Sequence, residues 1–141
     1  MYDILHRIVI ETSPEQLYKA IAEDSGISGW WTKAEMNDQR LRVFFGPKDE
    51  HQIVFTVTDT QPAEFVKWQC IEGPWADKGE FVFSITPDER GACLRFSHHA
   101  WTQADDFYRH CNSKWGYFLT VSLKRYLETG TGQPHPQDPD I

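Results

Sequence analysis

Apolar and polar residues alternate through most of the chain up to His99. In 64–71, Val66, Trp68 and Cys70 point one way and Lys67 and Gln69 the other. In 79–86, Phe81, Phe83 and Ile85 oppose Glu80, Val82 and Ser84. In 92–99, Leu94, Phe96 and His98 oppose Arg95 and Ser97. Ile53, Phe55 and Val57 share a side, as do Leu41, Val43 and Phe45. A period of two marks half-buried strands. It predicts strands over Ile4–Glu11, Arg40–Phe45, Gln52–Asp59, Glu64–Ile71, Gly79–Thr86 and Ala92–His99, with a short one near Lys33–Met36. Turn residues separate them: Gly46-Pro47-Lys48-Asp49, Gln61-Pro62, Glu72-Gly73-Pro74 and Pro87-Asp88-Glu89-Arg90-Gly91. Links this short imply an antiparallel meander with one covered face.

Helical periods appear at two places. Ser13 can cap, Pro14 suits a first turn, Gln16 completes a capping box, and Leu17, Ala20 and Ile21 form a stripe. Asp24-Ser25-Gly26 is expected to end that helix, with a short second one over Ile27–Trp31. The other is Asp105–Gly130, an amphipathic stretch with Phe107, Tyr108, Cys111, Trp115, Phe118, Leu119, Ser122, Leu123 and Tyr126 on one arc. At ~1.5 Å per residue it spans roughly 38 Å. Seven strands at ~4.8 Å span roughly 34 Å, so one helix can cross the whole sheet. Small residues in mid-arc, Cys111 and Ser122, leave room for a void beside Trp115 and Phe118, or for close helix–sheet contact.

Composition narrows the picture. The chain has 141 residues, which predicts one domain, here 1–130. Residues 131–141, rich in Pro and polar groups, are expected to be a flexible tail. The formal net charge is −7, with 21 acidic against 14 basic residues. That balance argues against a nucleic-acid partner and against binding to anionic membranes. No stretch reaches membrane-spanning length, and the start lacks a continuous apolar run. Three cysteines in unrelated apolar contexts read as reduced thiols of a cytoplasmic protein.

The order of strand, two helices, six strands and long helix carries TSPEQLYKAI early, WW after the second helix, PAEFVKW in mid-chain and KWGYFLTVSLKRYLETG at the end. This resembles the START-like SRPBCC superfamily over roughly residues 1–130, and within it the branch related to the activator of the heat-shock-protein-90 ATPase. The resemblance implies an α+β helix-grip fold: a curved antiparallel sheet of about seven strands around a long C-terminal helix, with two short helices and a hydrophobic cavity between sheet and helix. Members bind lipids, sterols, polyketides or other apolar molecules; some are cyclases or hydrolases, and some assist chaperones.

A small apolar or amphipathic ligand is therefore the expected partner. Trp31, Phe55, Trp68, Phe83, His98, Cys111, Trp115, Phe118 and Ser122 are the candidate lining residues. Each also has a plain packing role, and a lone inward histidine is more often a satisfied structural one. An enzyme reading rests on His98 as acid or base. Trp75, in a Gly/Pro-bounded loop, reads as a lid or partner contact for an interaction module, or as folded back onto the sheet. No Gly-x-Ser-x-Gly elbow, phosphate loop or dinucleotide glycine pattern is present, so no catalytic residue and no cofactor are expected. His98, His110 and Cys111 match no metal-ligand spacing. Exposed edge strands make a homodimer an open expectation.

Overall fold

Ser13 Oγ accepts the Gln16 N–H at 3.1 Å and starts α1 (Pro14–Ala22) immediately after β1 (Tyr2–Ile10). The computed structural model describes residues 1–141. After α1 come α2 (Asp24–Trp30), β2 (Ala34–Asn37), β3 (Arg40–Phe45), a short 3₁₀ turn at Pro47–Asp49, β4 (His51–Gln61), β5 (Phe65–Glu72), β6 (Phe81–Asp88) and β7 (Gly91–Trp101). The strands form one antiparallel seven-stranded sheet in the order β1-β7-β6-β5-β4-β3-β2. Consecutive strands pair except at β1, which lies against β7, with Tyr2 opposite Trp101 and Ile10 opposite Ala92.

Asp24-Ser25-Gly26 begins α2 instead of merely ending α1. The break falls at Glu23, whose extended backbone separates the two helices. Asp24 then suits a helix N-terminus, and its carboxylate accepts the Met36 N–H at 2.9 Å. Gly26 lets α2 approach α1, since a Cβ there would stand 2.6 Å from the Ala20 Cα.

Alternation holds on β5, where Val66, Trp68 and Cys70 are buried, on β6, and on β7 from Leu94 to His98, after the buried run Ala92–Leu94. It slips on β3 and β4. Phe44 and Val54 are buried as well as Val43 and Phe55, and Phe45 and Val57 are only partly buried. Register irregularities at Val54/Phe55 and Val57/Asp59 accompany this; such bulges bend a strand and increase its twist.

The C-terminal helix runs from Asp106 to Thr129 in three joined segments: α3 (Asp106–Tyr117), a π-helical stretch Phe118–Leu123, and α4 (Lys124–Thr129). Asp105 caps it, accepting the Tyr108 N–H at 2.9 Å, and Gly130 ends it in the left-handed region, φ 90°. Cys111, Trp115, Phe118, Leu119, Ser122 and Leu123 of the predicted arc are buried against the sheet, while Phe107 is exposed. Lys124 Nζ donates to the Val9 carbonyl at 2.9 Å and Glu128 accepts the Glu11 N–H at 2.8 Å, tying the far end of this helix to β1.

Residues 131–141, expected as a loose tail, are laid back on the domain. The His135 N–H donates to the Trp31 carbonyl at 2.7 Å and the Gln133 N–H to Ser122 Oγ at 2.8 Å. The Trp31 carbonyl lies just past the end of α2, where backbone acceptors lack partners within the helix. No helix is long and apolar enough to cross a membrane.

Candidate functional site

All six tryptophans are buried, and with four phenylalanines they fill the space between helix and sheet. Trp115 reaches down from α3 onto Trp31 (ring centroids 4.9 Å) and Phe96 (4.6 Å). Trp68 packs on Phe83 at 4.6 Å and lies nearly parallel to Trp31 at 5.9 Å. Contacts this close leave the middle of the grip solid. Phe55, Trp68 and Phe83, expected to line a ligand space, are fully buried in this pile and are not among the residues of the cleft at the end of the grip.

What remains open is a cleft of about 270 Å³ at one end of the grip. Trp115, Cys111 and Phe118 of the C-terminal helix form one wall, with Phe107 one turn earlier. Trp31 and Phe45 form the opposite wall, and Trp75 closes the inner side. His110, Lys114, His135 and Asp138 make a polar mouth. Four of the nine expected residues, Trp31, Cys111, Trp115 and Phe118, are thus brought together here.

Ser122 has another job. It is fully buried, donates to the Trp30 carbonyl at 2.6 Å and accepts the Gln133 N–H at 2.8 Å. Both bonds are internal, so its small side chain marks a junction of helix, α2 and tail and not a void.

His98 is fully buried on β7, stacked on Phe81 with centroids 3.6 Å apart. Its Nδ1 accepts the Trp101 indole N–H at 3.1 Å. Burial, helped by the nearby His99 and Lys78, pushes its pKa down to about 3. The ring is therefore neutral at neutral pH, and with Nδ1 accepting, its proton sits on Nε2. A neutral imidazole that resists protonation is a poor general base, and His98 is not among the residues lining the cleft. The acid–base role expected of it does not fit its place.

Trp75 is not an exposed partner contact. Only 8% of its surface is accessible, because its loop folds back and lays the ring against Phe55, Phe81 and His98. Burial raises the Cys111 thiol to about 11, although the Trp75 N–H beside it pulls the other way. The thiol is protonated and a weak nucleophile at neutral pH.

At the mouth, Lys114 Nζ meets Asp138 at 2.6 Å, and His135 Nδ1 lies 2.9 Å from the same carboxyl group. Burial works to raise the Asp138 pKa, but Lys114 and His135 outweigh it and hold the carboxyl below the usual range. Sequence reading missed His135 and Asp138, because a polar, Pro-rich segment carries no periodicity to show where it docks. Phe45 and Phe107 had the right apolar pattern but nothing to place them at an opening. A larger concavity of about 620 Å³ beside the β2–β3 hairpin has no hydrophobic lining and is an open polar dip between Glu35, Arg40 and Arg42.

Similar proteins share this architecture. The solution structure of the Aha1 dimer from Colwellia psychrerythraea matches with a TM-score of 0.82 and 35% identity over 94% of this chain and 100% of that one. A protein from Staphylococcus saprophyticus matches with TM-score 0.77 at 15% identity, over 93% of this chain and 95% of that one. An AHSA1-like protein from Aeromonas hydrophila matches with TM-score 0.71 at 17% identity, over 92% and 94%. The latter two share the fold alone. No family model matches the chain, and no curated protein does.

Proposed function

The chain belongs to the family related to the activator of the heat-shock-protein-90 ATPase, within the START-like SRPBCC superfamily, and from that membership we propose that it binds a small apolar or amphipathic molecule, lipid-like or polyketide-like, in the cleft between Trp31 and the C-terminal helix. The observation that carries this reading is the lining. Seven of the eleven cleft residues are hydrophobic, and the polar ones sit at the mouth. Burial of apolar surface would supply most of the affinity. The volume lies at the small end for ligand sites, so a compact molecule, or one end of a longer one, fits best.

Trp31, Cys111, Trp115 and Phe118 are the binding residues in this reading, joined by Phe45 and Trp75. An acid–base enzyme finds less support, since the cleft walls hold a protonated thiol and indoles and the one buried imidazole is neutral and behind them. Three free buried cysteines support a reducing, cytoplasmic setting.

Native mass spectrometry of freshly purified protein is the direct test. A reproducible bound small molecule is expected, and it should disappear in Cys111→Phe, whose ring would occupy the cleft. Retention of the same molecule by a folded Cys111→Phe protein would overturn the site. Wild-type protein that emerges empty and shows no thermal stabilisation by any apolar compound would overturn the function.

Self-association is a second reading. β1 is a sheet edge that exposes Leu5 and Tyr2, and the similar Colwellia protein was solved as a dimer. Light scattering after size exclusion should give twice the chain mass; a monomer at high micromolar concentration would refute it.

A further inference from the structure

The inner end of the cleft has an unmet hydrogen-bonding requirement of a single sign. The Trp75 indole N–H is buried and has no partner. The acceptor beside it is the Cys111 sulfur, a weak one that leaves the donor short of a full hydrogen bond. One layer deeper, the ring of His98 stands edge-on to Trp75, centroids 6.3 Å apart. Its Nε2 is also buried and unpartnered. That nitrogen is a donor, because Nδ1 already accepts from Trp101. Both groups are therefore N–H donors; the Gly79 carbonyl lies toward the His98 one, while Phe55 and Phe81 offer the Trp75 N–H no acceptor. Leaving buried donors unpaired is costly, so such groups in folded proteins point to water or to a ligand.

The mouth restricts the charge of that ligand. Lys114 is already matched by Asp138 at 2.6 Å and by the Pro139 carbonyl at 2.5 Å. Lys78, the cation nearest His98, lies over the Trp101 ring and 3.2 Å from Asp77. No unopposed Lys or Arg faces the cleft, so a carboxylate or phosphate at its inner end would be buried without a permanent counter-charge, at high cost. A neutral acceptor avoids that cost. The volume of about 270 Å³ equals roughly nine waters at ~30 Å³ each, which suits a molecule of about ten non-hydrogen atoms or an end group of that size.

Resting on the binding reading above, we infer that the cleft selects an uncharged carbonyl compound, its oxygen accepting the Trp75 indole N–H at the inner end and its apolar body lying between Trp31 and Phe118. Trp75 is the specificity residue of this site. A tilt of the ring on its Gly73–Gly79 loop would admit the oxygen, and His98 backs the ring from the deeper side.

Benzylacetone and its hydrocarbon isostere isopentylbenzene test this, since they differ by a carbonyl oxygen in place of a methyl group. Each is titrated into wild-type protein and Trp75→Phe, with indole N–H resonances followed by NMR. In the wild type, benzylacetone is expected to shift the Trp75 indole resonance downfield and isopentylbenzene to leave it nearly in place. Trp75→Phe should weaken benzylacetone about tenfold while changing isopentylbenzene less than about twofold, the worth of one hydrogen bond to an otherwise orphaned donor. Equal weakening of both compounds, or no weakening of either, would overturn the inference and leave the apolar cleft standing. So would a Trp75 indole resonance unmoved by benzylacetone in the wild type, a measurement that does not depend on the variant folding. If neither compound binds the wild type up to its solubility limit, the binding reading fails and the inference falls with it.

Discussion

Lys114 Nζ stands 2.6 Å from Asp138 Oδ2, with the two side chains only 20% and 7% exposed. This pair fastens the last residues of the chain across the mouth of the cleft. Water screens it less than a surface pair, and His135 shares the carboxyl group. Asp138→Asn is expected to cost about 1 kcal/mol and to speed amide exchange at His135, whose N–H bonds to the Trp31 carbonyl. The folded-state pKa of Asp138 is lowered from an ordinary 3.8. The pair's contribution is therefore complete above that value and lost as pH falls through the lowered pKa. Protection of the wild-type His135 amide, measured against its intrinsic exchange rate at each pH, should fall in acid below pH 3.8 and that of the variant should fall less. Identical exchange in both proteins at neutral pH would show that the pair does not hold the tail.

Ser122 joins three pieces of chain through one hydroxyl. Ser122→Ala strands the Trp30 carbonyl and the Gln133 N–H at a buried junction. A loss of about 1–3 kcal/mol is expected in denaturant unfolding. Ligand affinity should stay within twofold, because the side chain lines no opening. A variant as stable as wild type but defective in binding would reverse this assignment and return Ser122 to the ligand site.

His98 gives the fold a distinctive acid response. Its pKa falls from 6.5 in the unfolded chain to about 3 in the folded one. Between those values the unfolded state takes up the proton and the folded state does not. Stability is thus complete above pH 6.5 and erodes as pH drops toward 3, by on the order of 5 kcal/mol for a group buried this deeply. His98→Asn offers an acceptor to Trp101 but cannot titrate. It should lower stability at pH 7 and flatten the slope between pH 6 and 4, read from urea midpoints at stepped pH (a window set by the ~6.5 reference value for histidine). An unchanged slope would assign the acid response to other groups.

The strand order, the grip and the aromatic interior were legible because period-two patterning and turn residues act locally. Trp68 and Phe83 show the limit of that reading. Alternation put both on the inner face, where they are. It could not say whether that face is hollow, since a void depends on how rings from six separate elements interlock. Ser122 looked like missing volume, yet its hydroxyl was bonding a carbonyl from α2, which no spacing within the helix reveals. The break at Glu23 and the bulges on β4 are settled by tertiary fit: Gly26 against Ala20 in one case, the curvature of the sheet in the other. Asp138 and His135 were least legible, because docking of the last segment rests on individual polar contacts with residues far back in the chain.

The pairing of β1 with β7 has a consequence for biosynthesis. Tyr2 leaves the ribosome about a hundred residues ahead of its partner Trp101, which ends the last strand. At about 5–20 residues per second, β1 waits roughly 5–20 s for a neighbour. Throughout that interval β2 to β6 can zip up in order behind it, while β1 carries bare backbone and the apolar side chains Ile4, Ile8 and Ile10. The sheet can close only once β7 has emerged, so a nascent chain stalled or truncated before it exposes β1 as a sticky strand for quality-control factors to seize.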